Sequence, residues 1–241
     1  MLSSDKLRID GQPGYVLHSY AYRETSLVVE TFTRNHGRVA MIARGARRPK
    51  SSLRGSLLSF QPLQLSWFGK NELRTLHQAE WQGGLPHLHG MALICGFYLN
   101  ELLLKLLIRD DPHESLFAYY EETLRNLVHT EEHATVLRRF EKVLLQELGY
   151  GLVLDRDCGN GQTIRLQGRY HYMIEQGPRE AESSSDGVQL HGKTLLDMAC
   201  DDYTDPVTQQ QSKLLMRTLI NHYLGDQTLH TRQLLKDLQQ L

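Results

Sequence analysis

Between Gly14 and Trp81 the chain passes through five short segments, GYVLHSY, SLVVETFT, GRVAMIAR, LQLSWFG and ELRTLHQAEW, rich in Val, Ile, Leu, Thr and aromatic residues. Several alternate apolar with polar positions, the period of two that puts successive side chains on opposite faces of a strand. Gly and Asn residues between them supply turns. After QGGLPHLHG, whose glycines and Pro86 read as a linker, the apolar period becomes 3.6. A chain with one such switch is expected to hold a small β-domain followed by helices, an α+β protein divided at 82/83.

The third and fourth strand segments are separated by GARRPKSSLRGSLLSFQP. That is too long for a tight hairpin but can hold a short helix plugging the end of a barrel. Five strands with one insertion after the third match a five-stranded OB-fold barrel over 1–82. In 83–241, residues 91–109 form a helix apolar nearly all round, with Glu101, Lys105 and Arg109 as a narrow charged stripe. Residues 113–129 and 131–149 read as amphipathic helices, opened by Pro112 and closed by Gly149, so three helices are expected to pack together. Residues 150–190 read as an irregular excursion with one strand-like patch, RYHYMIEQG, and the low-complexity loop SSSDG. Helices resume in GKTLLDMAC, DPVTQQQSKLLMRTLINHYLG and TRQLLKDLQQL.

Charge is spread unevenly. The formal net charge is −1, yet residues 1–80 balance at +6 and residues 81–241 at −7. Arg34, Arg38, Arg44, Arg47, Arg48, Lys50 and Arg54 lie in a stretch with no carboxylate, and residues 31–71 contain none. Clustered cations repel one another, so such a stretch implies an anionic partner. Gly45, Ala46, Ser51, Ser52 and Gly55 alternate with the cations and let a backbone approach phosphates. Arg38, Arg44, Arg47, Arg48, Lys50 and Arg54 are therefore candidate phosphate contacts, Arg38 the weakest because a strand start is often used for packing. Tyr15, Tyr20, Tyr22, Phe32, Phe60, Trp67, Phe68 and Trp81 lie in the same module, but spacing alone does not separate stacking platforms from core.

Catalytic patterns are missing from the sequence. No phosphate-cradling glycine motif opens a helix, no serine sits in a nucleophile elbow, and His87 and His89 lack further metal-ligand partners. Cys95, Cys158 and Cys200 stand more than forty residues apart, which gives neither a disulfide framework nor a paired metal site. The N-terminal residues lack a signal-peptide layout, and the longest apolar run is interrupted by Asn100, Glu101 and Lys105. The expectation is a cytoplasmic binding protein without cofactor or metal, not a membrane protein and not an enzyme.

The segments YVLHSYAYRETSLVVETFTRNHGRVAMIARGARRPKSSLRG, LQLSWFG, FYLNELLLKLL and VLRRFEKVLLQELGYG, in this order over residues 14–155, resemble the RecO family of DNA-repair recombination mediators. The resemblance implies an OB domain and a helical domain, and binding of single- and double-stranded DNA. It implies annealing of strands and recombinase loading on SSB-coated DNA, with RecR and the SSB C-terminal tail as partners. A monomer when free and a nucleoid-associated location are expected with it. Many members carry two C-x-x-C pairs binding zinc after L-G-Y-G; here Cys158 stands alone, so the excursion is expected to be zinc-finger-like without its cysteines, anchored by Tyr170, Tyr172 and Met173. The L-R-R-F motif places the tail site on Leu137, Arg138, Arg139 and Phe140, with Arg138 holding the terminal carboxylate, unless it forms an ion pair with Glu131 or Glu141 instead. The competing reading is an RNA-binding or nuclease-accessory OB module without chemistry of its own.

Overall fold

The first strand, β1 (Arg8–Tyr22), serves two neighbours at once. In the computed structural model, which describes residues 8–181 and 187–239, its second half pairs antiparallel with β2 (Ser26–Thr33) and its first half with β4 (Leu63–Phe68). The expected SSSDG loop lies largely outside the described residues. β3 (Gly37–Ala43) follows β2 antiparallel, and β5 (Leu73–Trp81) runs antiparallel to β4 and parallel to β3. The order β1-β2-β3-β5-β4 closes into a barrel, the five-stranded arrangement expected of an OB-fold. The helix expected between β3 and β4 is the single turn α1 (Leu53–Ser56), which buries no residue fully. Ala46 and Leu57, on either side of it, join the barrel core of Val16, Val29, Met41, Leu65 and Trp67. The end of the barrel is stopped chiefly by loop side chains.

The chain divides into two compact units, Met1–Glu131 with Leu229–Leu241, and Glu132–Thr228. In the first, α2 (Gly90–Leu106) and α3 (Glu114–His129) cover the outer face of β1 and β2. Val16 points into the barrel, so the neighbouring Tyr15 points out. Tyr15 and Phe32, opposite each other in register, meet Phe117 and Tyr120 of α3 at ring separations of 5.3 to 6.1 Å.

A bend in β1 sets up the next contact. The β1–β2 register shifts between Val16 and His18, which leaves Leu17 without a ladder partner. Its buried carbonyl accepts from Asn100 Nδ2 at 2.9 Å, and Asn100 Oδ1 accepts from the Tyr120 hydroxyl at 2.6 Å. The charged stripe Glu101, Lys105 and Arg109 is engaged in contacts. Glu101 is buried, pairs with Lys105 at 3.2 Å, and accepts from the backbone of His230 and Thr231 and from the Thr231 hydroxyl. It thereby caps the N-terminus of α7 (His230–Gln239). Arg109, past the end of α2, pairs with the buried Glu30 of β2. Gly37 has φ +61° and stands so close to the Asp111 carbonyl that a Cβ would collide with it.

The second unit begins with α4 (His133–Glu147), which packs against α6 (Pro206–Leu224) and whose Lys142 donates to the Met198 carbonyl of α5 (Gly192–Ala199). Periodicity identifies an apolar face but not the element that covers it. The excursion is also more regular than expected. β6 (Arg169–Met173), β7 (Gly177–Glu180) and β8 (Val188–His191) form an antiparallel sheet in the order β7-β6-β8. Tyr170 and Tyr172 anchor it in a core with Leu190, Leu195, Met198 and Leu215, while Met173 is only half-buried. The turn at Cys158 is held by Asp157, whose carboxylate accepts from the backbone N–H of Gly159 at 2.7 Å and of Glu180 at 2.9 Å.

Replacing Asn100 with Leu keeps side-chain volume but strands the Leu17 carbonyl, so denaturant unfolding is expected to show a loss of about 1 to 3 kcal/mol. A second expectation concerns acid. Burial tends to raise the Glu101 pKa, but hydrogen bonds from Thr231 and His230, with Lys105, outweigh it and hold the value below the ordinary one. A depressed folded pKa contributes stability that is present above the unfolded value of about 4.3 and lost as pH falls through the folded value. Hydrogen-exchange protection of α7 should therefore fall as pH drops through the depressed folded value, and Glu101→Gln should lower it already at neutral pH and flatten that dependence.

Candidate nucleic-acid interface

The β1–β2 turn and the loop after β3 lean on one another. The β2–β3 hairpin pairs Leu27 with Ala43, which carries residues 22–26 alongside residues 44–48. The Arg47 N–H donates to the Thr25 carbonyl at 2.9 Å, and the Arg47 guanidinium to the Arg23 carbonyl at 3.3 Å. Gly45, at φ +68°, gives the loop the left-handed residue its reversal needs. Between the two turns opens a cavity of about 750 Å³, lined by Tyr22, Arg23, Glu24, Ser26, Arg44 and Arg48 among others. Three guanidiniums share it with one carboxylate, that of Glu24. A concave site with excess positive charge, lined by hydroxyls and backbone, suits a phosphate oxygen.

Four of the remaining cations divide by position. Arg47, Lys50 and Arg54 are exposed on the same loop, Arg54 in α1. Arg38 is elsewhere: it lies opposite Phe32 on the face that meets α2 and donates to the Leu104 carbonyl. Burial, partly offset by Glu30 and reinforced by Arg109, holds its pKa below the usual arginine value. Arg38 therefore leaves the candidate set as a packing residue. Arg34 is likewise engaged, over the Phe117 ring at 5.4 Å. Arg23 joins the set, although sequence order hid it twenty-one residues before Arg44; the hairpin register was the signal that could have found it.

The aromatic residues also divide. Tyr15, Phe32, Phe60 and Trp67 are core, Tyr22 and Phe68 are half-buried, and Tyr20 and Trp81 are exposed. Among the described residues no group of three or more His, Cys, Asp or Glu is placed to hold a metal ion, and no helix is long and apolar enough to cross a membrane.

On α4 the expected tail site is rearranged. Phe140 is fully buried and Leu137 nearly so, which leaves neither open to receive an incoming ring. Helical spacing marks both as inward-facing but does not say whether a groove remains above them. The Arg138 guanidinium donates to Glu141 Oε1 at 2.7 Å and lies 2.6 Å from its Oε2 as an ion pair, and Glu141 is completely buried. Arg139 is exposed and donates to the Asp201 carbonyl at 2.8 Å. Removing one partner of a buried pair leaves the other charge poorly solvated. Arg138→Ala is expected to lower unfolding free energy by about 3 kcal/mol, with recovery in the double variant that also carries Glu141→Leu, whereas Arg139→Ala should shift the denaturation midpoint little.

Comparison with known proteins agrees with this architecture. The family model described as Recombination protein O N terminal matches residues 10–84, and that described as Recombination protein O C terminal matches residues 88–232. The chain is 58% identical to the DNA repair protein RecO of Nitrosospira multiformis over 100% of both chains. It is 51% identical to the protein of that name from an Azoarcus species, over 98% of this chain and 99% of the relative, and 52% identical to that of Dechloromonas aromatica, over 97% and 98%. Two family models spanning the barrel and the helical region, with identities above one half across whole chains, place this chain in the RecO family.

Proposed function

We propose that this protein is a DNA-binding recombination mediator that anneals complementary single strands and helps load a recombinase on SSB-coated DNA during repair. The family's role in DNA repair supports the setting. The observation that carries the reading is the basic cavity at the β1–β2 turn. It lies beside the β2–β3 face and the first loop of an OB barrel, the region where that fold takes oligonucleotides. Arg23, Arg44, Arg47, Arg48, Lys50 and Arg54 would neutralise phosphates of two strands and lower the repulsion that keeps their backbones apart. Annealing breaks no covalent bond, so the protein is read as acting without a nucleophile, nucleotide or metal, and not as an enzyme. RecR and the SSB tail are its proposed partners, the tail carboxylate meeting the exposed Arg139 edge of α4, with cytoplasm and nucleoid as its place.

Purified protein is expected to speed annealing of complementary oligonucleotides without nucleotide or metal. The double variant Arg44→Ala, Arg48→Ala should bind all sequences more weakly. Its plot of log affinity against log salt should flatten by about 0.7 per lost contact on single strands. An unchanged slope would remove these arginines from the interface. Arg38→Ala should leave the slope as in the parent protein.

A further inference from the structure

We infer that the outer row of β1, His18, Tyr20 and Tyr22, is a stacking track for unpaired bases, so that the site distinguishes single strands from duplex by ring contact and not by charge. The inference rests on the proposed DNA-binding role and adds the form of DNA the site prefers.

Residues at i, i+2 and i+4 of a strand share one face, about 6.6 Å apart per step. Val16 points into the barrel, but the register shift after it reverses the alternation, and His18, Tyr20 and Tyr22 face outward. His18 and Tyr20 are exposed, Tyr20 by 46%, and their ring centroids lie 6.1 Å apart with planes inclined at 30°. The two exposed rings form one continuous surface on which the face of a base can lie. Tyr22 ends the row at the cavity wall, where the Arg23 guanidinium sits over its ring at 5.2 Å. Apolar rings thus lead directly to Arg23, Arg44 and Arg48. Alternation of aromatic platforms with backbone-tracking cations is what sequence-tolerant single-strand binding requires.

The neighbours of the row fit the assignment. Tyr20 lies opposite Val28 and Tyr22 opposite Ser26, neither of them acidic. Glu30, opposite His18, is buried against Arg109, and Glu24 is the one carboxylate on the cavity wall. A base pair inside a duplex has both faces covered by its neighbours and offers none to Tyr20. Pairing therefore withdraws bases from the row while phosphates remain at the arginines, which weakens the hold on the annealed product.

The test compares Tyr20→Ala, Tyr20→Phe and the double variant His18→Ala, Tyr20→Ala with the parent protein. Binding of labelled oligo-dT and of a duplex of equal length is measured across a salt series, with melting curves to show that these surface changes leave the fold intact. Tyr20→Ala should weaken single-strand binding by about tenfold, with Tyr20→Phe near the parent. Duplex affinity and both salt slopes should be unchanged. The double variant should lose more on oligo-dT than Tyr20→Ala, and the parent protein should bind an abasic strand at least as weakly as the double variant binds oligo-dT. Equal loss on both forms of DNA, or no loss on either, overturns the track while leaving the arginine cavity standing if Arg44→Ala, Arg48→Ala still weakens binding. A parent protein that bound neither form would overturn the DNA-binding role itself, and this inference with it.

Discussion

The buried carbonyl of Leu17 is the constraint on which the first unit depends. A strand that closes a small barrel must serve two neighbours, and β1 does so only by bending, with a residue left out of the ladder. The carbonyl freed by that bend lies beneath α2, away from water, where an unmade hydrogen bond is costly. Asn100 supplies the donor and in turn receives the Tyr120 hydroxyl, so one amide joins β1, α2 and α3. The next residue, Glu101, points about a hundred degrees round the helix and captures α7. Two adjacent polar residues on a mostly apolar helix thus join four elements.

This assembly also decides which cations are free. Arg38 and Arg109 are drawn into the joint between barrel and helices, and Arg34 lies over Phe117. What remains at the surface around the β1–β2 turn is a smaller and denser group than the sequence suggests, with Arg23 brought into it. The joint uses its arginines against carbonyls and a buried carboxylate, and the rim leaves them facing an open cavity with a single carboxylate on its wall. The same residue type therefore has two roles separated by a few ångströms of barrel wall.

Much of the fold was legible because the signals are local. The five strands follow from alternation and the helices from the 3.6 period, and their limits come within a few residues of those observed except at the start of β1, which begins six residues before the expected Gly14 and pairs there with β4. Partnership between elements was less legible. That α4 joins α5 and α6, that Glu101 on α2 faces a helix, and that β6, β7 and β8 form a sheet all depend on contacts distant in sequence. The site shows the same division. Arg44 and Arg48 stood out as members of a charge run, but Arg23 required the hairpin register, and the removal of Arg38 required knowing what lies across from its strand. Phe140 misled for a related reason, since an apolar residue beside two arginines looks alike in sequence whether it lines a groove or fills a core.

The position of α7 has a consequence for how the protein is made. It completes the first unit, yet its residues follow the whole of the second in the chain. A ribosome adding about 5 to 20 residues per second emits Glu101 well before the segment that covers it. For on the order of ten seconds at that rate Glu101 is without its α7 partners while residues 132–228 emerge. Capture of α7 by Glu101 therefore joins two segments of one unit across the whole of the other, and closing so long a loop carries an entropic cost that the buried contacts of α7 must offset.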